Sequence, residues 1–252
     1  MSRSHGITRE IAQAQVGSAR FGTVRRLVEQ AMAAGTFPGA VVYVRQDNRV
    51  VWHHAFGWAA VTPRRRTMRS DAVFDLASLT KPVATATAVL QLVERGIFQL
   101  DHPVADYLPA FAAFGKQAVT VRHLLTHTSG LPAWIRLYLR VRTPAEALRY
   151  ICALSPDAAP GSRVEYSDLG FIVLGELVRA CGELSLDRYL DARIAPLVEW
   201  RRTRFRPPAA WRPRCVATEA GNEFERAAAG AEGERFRWRT GVICGEVHDG
   251  NS

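Results

Sequence analysis

The stretch FDLASLTKPVATATAVLQLVERG at residues 74–96 begins as a short turn and continues as a long apolar run. Such a run, closed by Arg95 and Gly96, is typical of a helix with a C-terminal stop signal. Pro82 has no backbone N–H and therefore fits the first helical turn, which puts the helix start at or just after Ser78. Because the residue before a proline disfavours helical angles, this first turn is expected to be irregular.

Ser78 and Lys81 are one helical turn apart, so their side chains share a face. A serine at a helix start is most often a cap, whose oxygen accepts an otherwise unpaired N–H. The lysine favours a second interpretation, because the 33 basic residues comprise 31 arginines and just two lysines, Lys81 and Lys116. Arginine keeps its proton, whereas a desolvated lysine can lose it and act as a base. Ser-x-x-Lys is a short pattern that indicates a nucleophile only together with partners elsewhere in the chain.

The composition fits a globular protein that binds no nucleic acid. A chain of 252 residues, 48% of them hydrophobic, can bury a sizeable core. The net charge of +9 would suit nucleic acid, but the arginines are spread along the chain and no recognised binding motif accompanies them. The densest basic run, Arg64-Arg65-Arg66 with Arg69, follows Thr62-Pro63 and is interpreted as a solvated loop.

The cysteines and the N-terminus indicate a cytoplasmic protein that does not bind membranes. Four cysteines, at 152, 181, 215 and 244, form no CxxC pair and are interpreted as free thiols in a reducing compartment. Met1 to Gly22 lacks the apolar segment of a secretory signal, and no window approaches membrane-spanning length.

Periodicity predicts a helix and then a β-hairpin in the first part of the chain. The predicted elements are a helix from Phe21 to Gly35, strands at Ala40–Arg45 and Val50–Gly57, a turn at Gln46-Asp47-Asn48 and a loop at 59–73. His53 and His54 are adjacent on a strand, so they point to opposite faces and cannot chelate one metal together.

The later part of the chain is predicted to be mostly helical. Thr120 can cap a short helix that ends near His127. His123 and His127 could then share a helix face at zinc-like spacing, but no acidic base or third ligand accompanies them, so neither a metal nor a cofactor is expected. Further helices are predicted at Pro144–Ala153, Leu169–Val178 and Ser185–Ile194, and a strand within Arg235–Cys244.

Three motifs occur in order: Ser78-Leu79-Thr80-Lys81, the LLTHTSGLP block at 124–132, and YSDLGF at 166–171. Together they resemble the serine β-lactamase-related hydrolases, a group of class C-like β-lactamases, D-Ala-D-Ala carboxypeptidases and esterases. The resemblance covers residues 21 to 185 well and continues weakly through Val216–Glu219 and Gly245–Asp249.

This resemblance implies an α+β, β-lactamase/transpeptidase-like fold, in which an antiparallel sheet with flanking helices lies beside a mostly helical lobe. We expect a loose N-terminus at 1–18 and a single domain at 19–252. Residues 19–76 and about 195–252 would form the α/β lobe, and residues 77–194 the helical lobe. The active site would lie in the cleft between them.

The resemblance also implies catalytic roles. Ser78 would attack an ester or amide carbonyl to give an acyl-enzyme, and its backbone N–H would form half of the oxyanion hole. Lys81 would ease deprotonation of Ser78, as a charge or as a base. Tyr166 would be the partner acid and base, helped by the nearby Lys81 cation. In the alternative interpretation Tyr166 has no catalytic role and is a half-buried aromatic residue before a helix.

Position 168 departs from the β-lactamase pattern, which has asparagine there. Asp168 is expected to contact substrate, but an ionised carboxylate cannot donate the hydrogen bond that an amide gives to a substrate carbonyl. This substitution favours an esterase-like hydrolase over penicillin recognition. His127 and Ser129 are expected to be structural; a triad made from them and a remote aspartate lacks the Gly-x-Ser-x-Gly elbow.

The family's third motif, a Lys- or His-Thr/Ser-Gly strand, is expected well after Val247-His248-Asp249. Arg239-Thr240-Gly241 precedes that segment and is interpreted as a decoy. We therefore expect a C-terminally truncated chain with an incomplete sheet. The functional prediction is a serine hydrolase of small-molecule esters or amides; the alternatives are an inactive remnant of the family and a basic nucleic-acid-binding protein.

Overall fold

The computed structural model of the chain describes residues 20–218, 223–234, Phe236 and Trp238. The predicted loose segment 1–18 and Arg239-Thr240-Gly241 lie outside these residues. So does most of the predicted strand within Arg235–Cys244, of which Phe236 and Trp238 are described and are not in a strand. The described residues form two compact units, 20–75 with 208–218, and 76–207 with those from 223 onward. Their union in a single domain stays a prediction.

The first unit contains the predicted helix and hairpin. Helix α1 is Gly22–Ala33, and the antiparallel strands β1 (Gly39–Gln46) and β2 (Arg49–Ala60) follow it. The turn between the strands has positive φ at both of its central residues, 49° at Asp47 and 60° at Asn48. That geometry matches the right-handed twist of paired strands, which is why an Asp-Asn pair supports this hairpin.

The predicted loop at 59–73 is wrong at its beginning. Strand β2 continues to Ala60 and pairs with a short strand β3 (Arg66–Thr67), so the sheet order is β1-β2-β3. Arg66, expected in a solvated loop, instead donates hydrogen bonds of 2.6 Å to the carbonyls of Pro213 and Cys215. Local sequence patterns could not predict these hydrogen bonds, because the partners lie almost 150 residues away in the chain.

The second unit is built from helices around one apolar core. Its α-helices are α2 (Thr87–Glu94), α3 (Val121–Leu125), α4 (Leu137–Arg140), α5 (Pro144–Cys152), α6 (Asp168–Cys181), α7 (Leu186–Tyr189) and α8 (Glu223–Ala229). Helix α6 is the most buried, with Leu169, Leu174 and Leu177 at 1% exposure or less. Each such leucine stabilises the fold by about 1.5–3 kcal/mol. No helix among the described residues is long and apolar enough to cross a membrane.

The helix after Ser78 begins irregularly, as predicted. A 3₁₀ turn at Ala77–Leu79 leads into a π-helical segment at Lys81–Ala86 and then into α2. Pro82 supplies no N–H to this turn, and the Thr87 hydroxyl donates to its carbonyl at 2.8 Å. Irregular π-helical turns of this kind are often found at functional sites.

The 124–132 block holds the chain that leads into α6. Three backbone carbonyls in the block accept N–H groups at 2.8 Å, and the Pro132 carbonyl accepts the Ser167 hydroxyl at 2.7 Å. The three backbone pairs are Glu165 to His127, Gly161 to Thr128 and Asp157 to Gly130. These bonds hold in place the segment that precedes helix α6, which ends in Tyr166 and Ser167.

Candidate active site

Ser78 is exposed at the surface of the second unit, in the 3₁₀ turn. The residue before it, Ala77, has a φ of 45°, which is unfavourable for a residue with a Cβ. Strained backbone of this kind persists where the surroundings fix it, and it is concentrated at active sites. The 3₁₀ turn that contains Ser78 has no side-chain cap hydrogen bond at its start.

Lys81 is the centre of the site. Its side chain is 3% exposed, and its Nζ donates a 3.2 Å hydrogen bond to Ser78 Oγ. The same Nζ lies 2.8 Å from Asp168 Oδ1 and 5.2 Å from the centroid of the Tyr166 ring. The four residues predicted for the site, which are spread over 91 positions of the sequence, therefore meet around one ammonium group.

The surroundings of Lys81 keep it protonated. Burial alone would lower the pKa of its ammonium, but hydrogen bonds to Asp168 and Tyr166 and their charges outweigh burial and raise that pKa above its usual 10.5. At neutral pH Lys81 is therefore a cation that donates to Ser78. It cannot accept the Ser78 proton in this state.

Asp168 lies at the start of helix α6, with its carboxylate beside Lys81. It is the first residue of α6, where the positive end of the helix dipole favours a carboxylate. Ser167 caps that helix by accepting the Gly170 N–H, and the Asp168 N–H donates to the Ala133 carbonyl. Asp168 pairs with Lys81, and its contact with substrate stays a prediction.

His127 makes structural contacts, as expected, but with partners that the sequence did not indicate. The His127 ring lies 4.5 Å from the Tyr166 ring and 5.0 Å from the Phe171 ring, between centroids. Its Nδ1 accepts the backbone N–H of Ser167 at 3.0 Å. The spacing in LLTHTSGLP gives no signal of this contact, because the partners lie about 40 residues further along the chain.

The structure contradicts two alternative interpretations of His127. Helix α3 ends at Leu125, and His127 has a φ of 58°, so His123 and His127 do not share a helix face. Ser129 is buried, and its oxygen accepts the Leu131 N–H rather than serving a triad. Among residues 20–218 and the described residues beyond them, no cluster of three His, Cys, Asp or Glu side chains could hold a metal.

Lys116, the other lysine, makes a purely structural set of contacts. Its side chain is fully buried, and its Nζ donates to the carbonyls of Ala113, Cys152 and Leu154. Burial lowers the pKa of its ammonium. All three donors of Lys116 are used by backbone carbonyls, whereas Lys81 donates to the Ser78 hydroxyl.

An exposed serine oxygen bonded to a buried lysine at a helix start is the arrangement expected of Ser-x-x-Lys acyl-transfer enzymes. The family model described as Beta-lactamase matches residues 24–244, and the chain belongs to the β-lactamase family. This family comprises serine hydrolases that act on small-molecule esters and amides. The predicted α+β, β-lactamase-like fold is confirmed.

Individual relatives show how much of the chain this similarity covers. The chain is 29% identical to an N-acetylmuramyl-L-alanine amidase of Bacillus subtilis (94% of this chain, 57% of the relative). It is 37% identical to Esterase EstB of Burkholderia gladioli (66% of this chain, 47% of the relative). A class C β-lactamase crystal structure matches with a TM-score of 0.72 at 21% identity, covering 93% of this chain and 60% of that one. The chain thus spans about half the length of these curated relatives.

Proposed function

We propose that this protein is a serine hydrolase that cleaves neutral carboxylic esters through a Ser78 acyl-enzyme. The observation that carries the proposal is the 3.2 Å hydrogen bond from Lys81 Nζ to Ser78 Oγ, with Asp168 paired to the same ammonium. Membership of a serine hydrolase family supports the reaction type. The similarity to an esterase supports the substrate class.

In the proposed reaction Tyr166 acts as a phenolate beside the Lys81 cation, and Ser78 Oγ attacks the ester carbonyl while its proton passes to the Tyr166 oxygen. The Ser78 backbone N–H lies in a first helical turn, where such groups lack intrahelical partners, and it donates to the developing oxyanion. The C–O bond to the alcohol then breaks, and Tyr166 returns the proton to the departing alkoxide. A water molecule then attacks the acyl-enzyme carbonyl while its proton passes to Tyr166. The bond to Ser78 Oγ breaks, Ser78 takes back the proton, and the acid is released. Throughout, the Lys81 cation stabilises negative charge on Ser78 Oγ and on Tyr166.

The charge of the site favours neutral substrates. Asp168 cancels the positive charge of Lys81 at 2.8 Å, so the ammonium offers little net attraction to a substrate carboxylate. The Asp168 carboxylate also has no proton to donate to a substrate amide carbonyl. Leu79, next to Ser78, is 61% exposed, and Tyr166 is 49% exposed, so apolar surface is available beside the nucleophile. Together these features support a neutral ester as substrate.

The first test compares p-nitrophenyl butyrate with mono-p-nitrophenyl succinate, which has the same leaving group and a four-carbon acyl chain ending in a carboxylate. We expect turnover of the butyrate to exceed that of the succinate, and to fall at least about 10³-fold in Ser78→Ala. Labelling by a fluorescent penicillin should be weak. Absence of Ser78-dependent turnover and labelling in the wild type would instead support the alternative of a non-catalytic family member.

Asp168→Asn is expected to reverse part of this preference. Removing one negative charge beside the substrate should raise kcat/KM for the succinate relative to the butyrate by roughly tenfold, the effect of one charge across a partly solvated site. Asp168 helps to raise the pKa of Lys81, so Lys81 should lose its proton at a lower pH in the variant. On the alkaline side, the activity of the variant should therefore begin to fall at a lower pH than that of the wild type. Asp106→Asn, which removes an exposed carboxylate outside the Lys81 contacts, is the matched control. An unchanged ratio in Asp168→Asn would contradict the charge argument.

A further inference from the structure

His127 lies beside the site, in contact with Tyr166, Ser167 and Phe171. Its ring packs on the ring of Tyr166, which is 49% exposed and also lies beside the Lys81 ammonium. Its Nδ1 accepts the N–H of Ser167, the residue between Tyr166 and Asp168. One imidazole therefore contacts both the side chain of Tyr166 and the backbone of Ser167, in the segment that enters helix α6 (called the 166–168 turn below).

We propose that His127 is a positioning residue that holds this turn in place, and that protonation of its ring releases the turn and stops the reaction at acid pH. The proposal rests on the proposed function for its catalytic consequence. The roles proposed for Ser78, Lys81 and Tyr166 involve neither His127 nor a loss of activity at acid pH.

The hydrogen bond fixes which form of the ring can act. A nitrogen that accepts an N–H carries no proton, so neutral His127 bears its proton on Nε2. A second proton must go to Nδ1, where it would face the Ser167 N–H. Two donors then oppose each other, and the bond that holds the turn is lost.

The charges around the ring favour the neutral form at physiological pH. Burial and the nearby Lys81 cation lower the pKa of His127 below its usual 6.5, and the Asp168 carboxylate opposes them. The other titratable groups on the surrounding elements are the Tyr166 phenol, the Arg163–Glu165 ion pair and His123. Because the pKa is lowered, the stabilisation that neutral His127 provides is complete above pH 6.5 and is lost as the pH falls through the lower pKa of the folded state.

The backbone at His127 provides a suitable test substitution. Its φ of 58° lies in the left-handed region, which asparagine tolerates better than most residues. An asparagine oxygen can accept the Ser167 N–H but cannot be protonated at these pH values. His127→Asn therefore keeps the acceptor and removes the titration, whereas His127→Ala removes both.

The experiment measures p-nitrophenyl butyrate hydrolysis by wild type, His127→Asn and His127→Ala between pH 4.5 and 8. At pH 7.5 we expect His127→Ala to lose about 10²-fold in kcat with little change in KM, since misplacing a catalytic group costs about that much. His127→Asn should recover to within about tenfold of wild type and should lack the wild-type loss of activity below pH 6.5. An identical acid limb in wild type and His127→Asn, or an unchanged kcat in His127→Ala, overturns the proposal.

Two further measurements do not need catalysis. The Tyr166 ring resonances should shift in NMR spectra as His127 titrates in the wild type, and should not shift over that range in His127→Asn. The thermal midpoint should fall more between pH 7.5 and 5 in the wild type than in His127→Asn. If the wild type shows no Ser78-dependent turnover, the proposed function fails, but these measurements still decide the role of His127. If the Tyr166 resonances do not shift as His127 titrates, the proposed role of His127 is wrong.

Discussion

Lys81→Met is expected to lower kcat for ester hydrolysis by about 10²–10⁴-fold, the usual range for removing a group that assists proton transfer. Methionine matches the length of the lysine side chain but cannot donate to Ser78 Oγ or balance Asp168. Steady-state kinetics on p-nitrophenyl butyrate, with the folded fraction determined in parallel, measures the effect. Turnover within threefold of wild type would contradict the central place given to Lys81.

Lys116→Met is the matched control, because it removes the other lysine of the chain. It leaves the carbonyls of Ala113, Cys152 and Leu154 without their donor, so it should lower the free energy of unfolding by about 1–3 kcal/mol. Per folded molecule, its kcat should be close to that of the wild type. The contrast separates loss of chemistry from loss of stability.

Lys81→Met should also lower stability in a pH-dependent way. The folded-state pKa of Lys81 is raised, so the stabilisation from its ion pair is fully present below pH 10.5 and is lost as the pH rises through the folded value. Denaturant unfolding should therefore show a gap between wild type and Lys81→Met at pH 8 that narrows at strongly alkaline pH. A gap that is constant up to the alkaline limit would contradict the raised pKa.

Gly130→Ala is expected to lower the free energy of unfolding by about 3 kcal/mol or more. Gly130 has a φ of +77°, and a Cβ there would overlap the carbonyl oxygen of Ala158. The substitution thus adds backbone strain and separates the 124–132 block from the segment that leads to Tyr166. Urea midpoints measured by far-ultraviolet circular dichroism report the change.

Gly96→Ala is the control for this variant. Gly96 has nearly the same φ, +73°, but a Cβ there would meet nothing within 4 Å. It should cost only the conformational penalty, about 1–2 kcal/mol. Equal losses in the two variants would show that contact with Ala158 is not what requires glycine at 130.

The features predicted well from sequence depend on neighbouring residues. The Asp47-Asn48 turn, the irregular start before Pro82 and the Thr120 cap all follow from the conformational preferences of one to four adjacent residues. The Ser78–Lys81 contact belongs to the same group, because helical spacing alone puts both side chains on one face. These parts of the fold and the site could be predicted because their physical causes are local.

The features that were missed depend on residues far apart in the chain. Strand β3 is bound through Arg66 to carbonyls near Cys215, and no local pattern distinguishes that arginine from a solvated one. The pairing of Asp168 with Lys81 likewise requires two helices to meet. The contact between His127 and Ser167 depends on how the segment 156–166 folds back on the 124–132 block. Hydrophobic periodicity does not predict the path of that segment.

The burial of both lysines gives the protein two internal probes of its own opening. At 3% and 0% exposure, neither Lys81 nor Lys116 can meet an amine-acylating reagent in the closed state. Acylation must wait for local unfolding, and its rate then reports the free energy of that opening. Lys81 would report fluctuations around Ser78. Lys116 would report the breaking of its hydrogen bonds to the carbonyls of Ala113, Cys152 and Leu154. Mass spectrometry after timed acylation would thus compare the dynamics of the active site with those of the core in one experiment.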